Sequence, residues 1–149
     1  CIAVDPWFIV DSAPKESRLI RTAREVNDSK PGFVIDQVVA AAKDLQNPLI
    51  ACFGLAFKAN IADLRESPAV EIVAQLAERN IGRIVAVEPN IQELPKKLAE
   101  NIELFSVEAA LEQADIIVLL VDHEAFNCAV NRLRLDVAVI DTRGFFQKK

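Results

Sequence analysis

The feature that most constrains the fold is a series of short apolar segments, separated by stretches in which apolar residues recur at helical spacing. Four of these segments, at residues 49–54, 83–89, 115–122 and 137–142, are rich in branched apolar side chains. Runs of this length and composition are typical of strands buried on both faces of a parallel sheet. A weaker strand is predicted at residues 102–105, which brings the expected number of strands to about five.

Helices are predicted between these strands. One begins at Ser67, which is expected to cap it, with Pro68 at the first helical position, and it stops before Gly82. Further helical stretches are predicted at residues 92–100, 106–113 and 124–132. Strands that alternate with helices indicate an α/β fold with a parallel, doubly wound sheet. We therefore expect a Rossmann-like sheet with the strand order 3-2-1-4-5.

A long helix is predicted ahead of the sheet, because apolar residues recur at helical spacing through residues 16–45. Pro31 and Gly32 interrupt the pattern and are expected to kink or break the helix. Without them the helix would be about 40 Å long, at ~1.5 Å per residue. Such a helix is too long to bury its apolar face within a small domain. It is therefore predicted to connect two domains, to form a subunit interface, or to do both.

Charge and composition exclude several classes of partner. The formal net charge of -5 argues against nucleic acid, since a phosphate-binding surface needs a basic excess. No apolar run approaches the roughly 20 residues of a membrane-spanning helix, so no membrane partner is expected. One histidine and no cysteine–histidine cluster argue against a metal site. The widely spaced cysteines Cys1, Cys52 and Cys128 suggest a reducing, cytoplasmic setting, and the latter two are predicted to be core residues.

The ligand site is expected at the carboxyl ends of the strands, beside the switch between the first and fourth strands. The loop that follows Gly54 runs about a dozen residues, whereas loops from strand to helix usually have about 2–6. Turns at residues 122–123 and 142–144 converge on the same edge. A lysine and an arginine beside the helix that begins at Ser67 would form an anion site. The loop presents Phe57, Lys58, Asp63, Arg65 and Glu66.

Other interpretations of these residues remain open at the level of sequence. The glycine-rich fingerprint of dinucleotide binding is absent, and Glu88 at the end of the second strand is only a weak signal for a ribose-binding acid. Classical NAD binding by this domain is therefore not expected. His123 is expected to be a loop residue satisfied by its neighbours rather than a ligand contact. Lys58 and Arg65 would alternatively be a solvated pair, but the length of their loop favours binding.

Several motifs, read in order, carry a specific resemblance. The segments CIAVDPWFI, RLIRTAREVNDSKP, FGLAFKANIADLRESPA, VEPN, LLVDHEAF and VIDTRGFF resemble the UDP-glucose/GDP-mannose dehydrogenase family over essentially the whole chain. The most specific pieces are the initial C-x-x-x-D and the FK-x6-R-E-S-P loop. Within the family, the DPWFI continuation resembles the branch that acts on UDP-N-acetyl-D-mannosamine.

The resemblance implies a domain organisation. Residues 1–46 would carry the catalytic cysteine and a long connecting helix that forms a homodimer, and residues 47–149 would form a UDP-sugar-binding domain. The N-terminal NAD-binding domain of the family would be absent from this chain. The sequence contains no methionine and begins on the cysteine itself. We therefore expect it to be the C-terminal part of an enzyme, inactive by itself.

The resemblance also implies a reaction. A sugar's C6 alcohol would be oxidised to a carboxylic acid in two hydride transfers, with NAD+ as the oxidant. The thiolate of Cys1 would attack the intermediate aldehyde, and the resulting thiohemiacetal would be oxidised to a thioester that water hydrolyses. Asp5 would order or deprotonate the water or the thiol.

Four further residues take roles from the same resemblance. Phe57, Lys58 and Arg143 would contact the UDP-sugar, and Arg65 would contact the NAD phosphates or neighbouring carboxylates.

The alternative to an enzyme is a stand-alone Rossmann-like module that binds a nucleotide or a protein without catalysis. The enzyme hypothesis predicts a G-x-G-x-x-G domain upstream in the intact gene, whereas the module hypothesis predicts that Cys1 is replaceable without effect.

Overall fold

Five parallel strands form the centre of the fold, in a computed structural model that describes residues 4–146. Their order across the sheet is 3-2-1-4-5, as the sequence predicts. β1 lies in the middle, paired with β2 on one side and with β4 on the other. The strands are β1 (Leu49–Phe53), β2 (Arg83–Val87), β3 (Glu103–Leu104), β4 (Ile116–Leu119) and β5 (Ala138–Asp141).

Both faces of the sheet are covered, which is the physical reason for the continuous apolar runs in the sequence. Every residue of β1 is buried. Because successive side chains of a strand point to opposite faces, Ile50 and Cys52 join one apolar cluster, whereas Ala51 and Phe53 join the other. The helices of this part of the chain are α4 (Pro68–Glu78), α5 (Lys96–Ala99), α6 (Val107–Gln113) and a 3-10 helix (Glu124–Ala129).

Three helices precede the sheet, namely α1 (Asp5–Ser12), α2 (Arg18–Asp28) and α3 (Lys30–Ala42). Only Ser29 separates α2 from α3. Its N–H donates to the carbonyl of Glu25 and its own carbonyl accepts from the N–H of Phe33, so helical bonding continues through the junction. The predicted interruption is confirmed at Ser29, two residues before Pro31, which has no N–H to donate.

The described residues fall into two compact units, one that ends at Phe33 and one that begins at Val34. The first unit contains α1 and α2, and several large apolar side chains of these helices are exposed. Leu19, for example, keeps 83% of its surface accessible. The second unit contains the sheet with its two apolar clusters, and Ile35 and Val38 of α3 are fully buried within it. No helix in the described part of the chain is both long and apolar enough to cross a membrane.

The two cysteines predicted to lie in the core differ in the structure. Cys52 is fully buried in β1, as predicted, and burial raises the pKa of its thiol to about 12. Cys128, by contrast, is exposed, so that prediction was wrong. The reason is the 3-10 helix, which has three residues per turn and turns Phe126 and Ala129 inward. Cys128 lies between these two positions on the solvent side.

Candidate functional site

The carboxyl end of β1 meets those of β2 and β4 at Gly54. Its N–H donates to the carbonyl of Val87 over 2.8 Å. Its φ of +85° is a conformation that glycine adopts without strain, and a Cβ built there would lie 2.5 Å from Cβ of Val121. The long loop therefore begins in direct contact with the segment that follows β4.

Glu88, which follows β2, is fully buried and bound to the start of this loop. Its Oε2 accepts the backbone N–H of Leu55 at 2.8 Å and of Ala56 at 3.1 Å, while Oε1 accepts the backbone and side-chain N–H groups of Asn90. Burial by itself raises the pKa of Glu88, but the hydrogen bonds from His123, Leu55 and Asn90 outweigh it and lower the pKa. These bonds occupy the carboxylate, so Glu88 is not a free ribose acceptor.

His123, which follows β4, is also fully buried and links Glu88 to the far side of the loop. Its Nε2 lies 2.9 Å from Oε2 of Glu88, and its Nδ1 lies 2.9 Å from the backbone N of Asn60. A backbone N–H can only donate, so Nδ1 must accept, and the ring is neutral with its proton on Nε2. The prediction that neighbours satisfy His123 is confirmed.

Asn60 anchors the middle of the loop through its backbone and its side chain. Its φ of +62° is the left-handed conformation that asparagine tolerates better than most residues. Besides the bond to His123, its Oδ1 accepts the N–H of Glu124 at 2.9 Å. The N–H of Phe57 donates to the carbonyl of Asp63, which closes the loop on itself. The loop is therefore ordered by specific bonds.

Phe57 and Lys58 lie between these anchors and face solvent. The Phe57 side chain is 41% exposed, and Nζ of Lys58 lies 5.8 Å from the centre of its ring. Within residues 4–146, no acidic group lies within ion-pair distance of Lys58. An exposed aromatic ring and a cationic side chain thus lie side by side at this edge of the sheet.

Arg65 is held by a carboxylate of its own loop. Its Nε and Nη2 donate to the two oxygens of Asp63 at 2.9 and 2.7 Å, although the side chain is 87% exposed. These bonds lower the pKa of Asp63 to about 2. Of the two roles predicted for Arg65, the structure thus brings it to a neighbouring carboxylate.

Arg143 lies at the carboxyl end of β5 and is joined to the end of β4. Its Nε donates to Oδ1 of Asp122 at 3.0 Å, and its backbone N–H donates to Asp141. The neighbouring Thr142 donates its hydroxyl to the carbonyl of Leu119. The ion pair uses only Nε, so the terminal NH2 groups of Arg143 make no hydrogen bond to residues 4–146.

The two predicted catalytic residues belong to the other end of the chain. Cys1 lies outside the described residues. Asp5 is the first residue of α1 and is exposed, in the unit that ends at Phe33. Among the described residues, no group of three or more histidine, cysteine, aspartate or glutamate side chains is placed to hold a metal ion.

The bonds that join Glu88, His123 and Asn60 were not predicted. The sequence analysis treats Glu88 and His123 separately and assigns no role to Asn60. One signal was available, because polar residues that directly follow neighbouring parallel strands meet at one edge of the sheet. Glu88 and His123 follow the two strands that flank β1, the strand from which the long loop departs.

Comparisons with known proteins agree with this architecture. An NDP-N-acetyl-D-galactosaminuronic acid dehydrogenase of Ralstonia nicotianae is 58% identical over 150 residues, which cover 100% of this chain and 35% of the relative. A UDP-N-acetyl-D-mannosamine dehydrogenase of Salmonella typhi is 50% identical over 155 residues, 99% of this chain and 37% of the relative. The solved UDP-D-ManNAc dehydrogenase of Pyrococcus horikoshii superposes with a TM-score of 0.74 at 28% identity, over 100% of this chain and 35% of that chain.

The chain thus spans about a third of the length of the curated relatives it matches. A family model described as "UDP-glucose/GDP-mannose dehydrogenase family, UDP binding domain" matches residues 51–148. The matched residues include the sheet from the third residue of β1 onward, the long loop, and the turns that carry His123 and Arg143. The chain therefore belongs to the UDP-glucose/GDP-mannose dehydrogenase family.

Proposed function

We propose that this chain is the C-terminal, UDP-sugar-binding part of an NAD-dependent nucleotide-sugar 6-dehydrogenase. The observation that carries the proposal is the match of residues 51–148 to the family's UDP binding domain, together with the exposed Phe57–Lys58 segment at the edge where such sheets bind ligands. In this proposal, residues 1–46 supply the nucleophile and the connecting helix, and residues 47–149 bind the nucleotide.

Three side chains are proposed to hold the UDP-sugar. Lys58 meets the diphosphate or the sugar as a point charge, and Phe57 packs beside it. Arg143, fixed at Nε by Asp122, donates its terminal NH2 groups to phosphate oxygens. Hydrogen bonds to charged groups contribute about 1.5–3 kcal/mol each, so losing either cation would weaken UDP binding by roughly tenfold to a hundredfold.

The proposed chemistry passes through the thiol of Cys1. Oxidation of the C6 alcohol gives an aldehyde, and the thiolate adds to its carbonyl carbon to form a thiohemiacetal. Loss of a second hydride gives a thioester, and water then releases the carboxylic acid and restores the thiol. Two molecules of NAD+ would accept one hydride each in this scheme. Asp5 is proposed to order or deprotonate the attacking water or the thiol.

The described domain does not fit classical dinucleotide binding itself. The turn after β1 lacks the glycine-rich fingerprint, and the acid at the end of β2, Glu88, is fully occupied by Leu55, Ala56, Asn90 and His123. NAD+ is therefore proposed to bind mainly to a domain outside this chain. Arg65 is the proposed contribution of this chain to the cofactor, and it would have to share its guanidinium with Asp63.

UDP-N-acetyl-D-mannosamine is the proposed substrate. The Salmonella typhi relative is named for it, whereas the Ralstonia nicotianae relative is named for an N-acetyl-D-galactosaminuronic acid. Both names describe nucleotide sugars that carry an N-acetyl group. The galactosamine-derived substrate is thus the second candidate.

A homodimer through the long helix is also proposed. Large apolar side chains are exposed on α1 and α2, among them Phe8, Leu19 and Val26. Surface apolar groups at such density are typical of a buried interface. Sedimentation of the full-length protein would show a dimer, and Leu19→Glu would shift the population toward the monomer.

The decisive experiment uses the full-length protein with NAD+ and each candidate nucleotide sugar, with and without Cys1→Ser. We expect two NADH per UDP-N-acetyl-D-mannosamine, and no complete turnover in the serine variant. Equal turnover of both proteins would remove Cys1 from the mechanism. Turnover with only the galactosamine-derived sugar or UDP-glucose would keep the enzyme class and overturn the choice of sugar.

The nucleotide site is tested separately by calorimetry with UDP. Lys58→Gln and Arg143→Gln are each expected to weaken binding by about tenfold or more. Lys43→Gln is the matched control, since Lys43 is also an exposed lysine but lies before β1. Unchanged affinity in both site variants would show that these residues do not bind UDP.

A further inference from the structure

The pair Glu88 and His123 takes no part in the chemistry proposed above, yet both side chains are fully buried. Burying a carboxylate is strongly unfavourable unless hydrogen bonds replace its contacts with water. Here the two oxygens of Glu88 accept bonds from Leu55, Ala56 and His123 and from two groups of Asn90. Two of these donors, the N–H groups of Leu55 and Ala56, belong to the backbone of the long loop.

The bonds of the pair lie on both sides of Phe57 and Lys58. Glu88 binds the backbone N–H groups of the two residues that precede Phe57. His123 binds the backbone N–H of Asn60, two residues after Lys58. Glu88 and His123 follow β2 and β4, the two neighbours of β1, so both flanks of β1 fix the same short segment.

We propose that Glu88 and His123 are positioning residues, which act together to hold Phe57 and Lys58 in the geometry that receives the nucleotide sugar. The inference rests on the proposed function, because it takes Phe57 and Lys58 to be ligand contacts. Neither positioning residue touches the substrate. Both act through the loop backbone.

The long loop needs positioning residues because many of its backbone residues must be ordered. Ordering a backbone segment costs conformational entropy, and a loop that is ordered only on binding would bind its ligand more weakly for that reason. The buried pair orders Leu55, Ala56 and Asn60 before the ligand arrives. Phe57 and Lys58 are thereby held in place from both ends of their segment.

The proposed role requires one tautomer of the His123 ring. Nδ1 must accept from Asn60 while Nε2–H donates to Glu88, so the imidazole bridges a donor and an acceptor. The other polar group against the ring is the side-chain amide of Asn90, whose Nδ2 lies 3.0 Å from Nδ1. Glu88 is the charged group in contact with the ring.

Two substitutions of His123 separate the halves of the bridge in the full-length protein. His123→Gln keeps an amide N–H donor near the position of Nε2 but loses the acceptor for Asn60. His123→Asn keeps an oxygen acceptor near the position of Nδ1 but loses the donor to Glu88. Ile84→Val is the control, since it removes one methyl group from a buried residue of β2 that lies outside the loop.

Both His123 variants are expected to raise the KM for the nucleotide sugar and the Kd for UDP by about tenfold, because each leaves one hydrogen bond of the loop anchor unmade. The kcat should fall by less than about threefold, because the reacting carbon is handled by Cys1 and not by this loop. Ile84→Val should leave KM and Kd unchanged. Folded His123 variants with unchanged KM and Kd would overturn the positioning role.

A second measurement needs no substitution. The imidazole nitrogens of 15N-labelled protein should show a protonated Nε2 and a bare Nδ1, with a scalar coupling across the hydrogen bond from Asn60. In hydrogen exchange, the amides of Leu55, Ala56 and Asn60 should be protected. A protonated Nδ1, or fast exchange of these amides, would overturn the proposal even if both variants failed to fold.

The two proposals fail in distinguishable ways. Turnover and UDP binding by the unmodified protein decide the proposed function. The KM and Kd of the His123 variants, each divided by the value for the unmodified protein, decide the positioning role. An active unmodified protein whose His123 variants match Ile84→Val would retain the function and remove the role of Glu88 and His123.

Discussion

Gly54 and Val121 approach each other so closely that a Cβ on the glycine would lie 2.5 Å from Cβ of the valine and 2.6 Å from its carbonyl oxygen. This contact joins the start of the long loop to the segment after β4. Real Cβ atoms do not tolerate such a distance, so the junction requires glycine at position 54 for space as well as for its positive φ.

Gly54→Ala is therefore expected to destabilise the protein by about 2–4 kcal/mol, from overpacking combined with an unfavourable φ. The free energy of unfolding in urea measures this. Gly32→Ala is the matched control, because Gly32 lies within α3 and its Cβ would meet nothing within 4 Å. There the same change is expected to stabilise by up to about 1 kcal/mol. Equal effects at both positions would contradict the proposed contact with Val121.

Glu88 is expected to make stability depend on pH in the acidic range. Its pKa is lowered in the folded protein, so the native state favours the ionised form relative to the unfolded chain. The resulting stabilisation is fully present above the unfolded pKa of about 4.5 and is lost as pH falls through the lower folded value. The stability difference between the unmodified protein and Glu88→Gln should thus shrink on acidification below that value.

Chemical denaturation at a series of pH values measures this difference. Glu100→Gln is the control for the change in net charge, since it removes a carboxylate from an exposed position. A constant difference for Glu88→Gln across the acidic range would show that the carboxylate is not preferentially ionised in the folded state.

The two described cysteines are expected to differ in reactivity. Cys52 is buried and its thiol has a pKa of about 12, so it carries almost no thiolate at neutral pH. Cys128 is exposed. Brief treatment with iodoacetamide should label Cys128 and leave Cys52 unlabelled until denaturant is added, as mass spectrometry of the peptides would show. Labelling of Cys52 in the native protein would contradict its place in β1.

The pKa of Asp63 measures its interaction with Arg65. The pKa of Asp63 is expected at about 2, because Arg65 donates to both of its oxygens. In Arg65→Gln it should rise toward the ordinary 3.8. The carboxyl carbon shift of Asp63 in an NMR titration measures this, and Arg79→Gln should leave it unchanged. An unshifted Asp63 in the unmodified protein would show that the pair does not persist in solution.

The architecture was largely predictable from the sequence. Buried parallel strands must be apolar on both faces, and the runs at β1, β2 and β4 have the length and composition that this demands. The capping serine and proline at the start of α4 are local signals, and Ser67 indeed accepts the N–H of Ala69. Pro31 marks the interruption of the long helix by its missing N–H. Each of these features depends on neighbours close in sequence.

The organisation of the site depended on tertiary structure. Asn60 and His123 are 63 residues apart, and Glu88 and His123 are 35 apart, so no local spacing indicates their bonds. The parallel sheet brings them together, because β2 and β4 flank β1 and end at the same edge. The exposure of Cys128 also depends on tertiary structure. A cysteine in a helical stretch predicts a core position, but Cys128 faces solvent, because packing selects which residues of the 3-10 helix face inward.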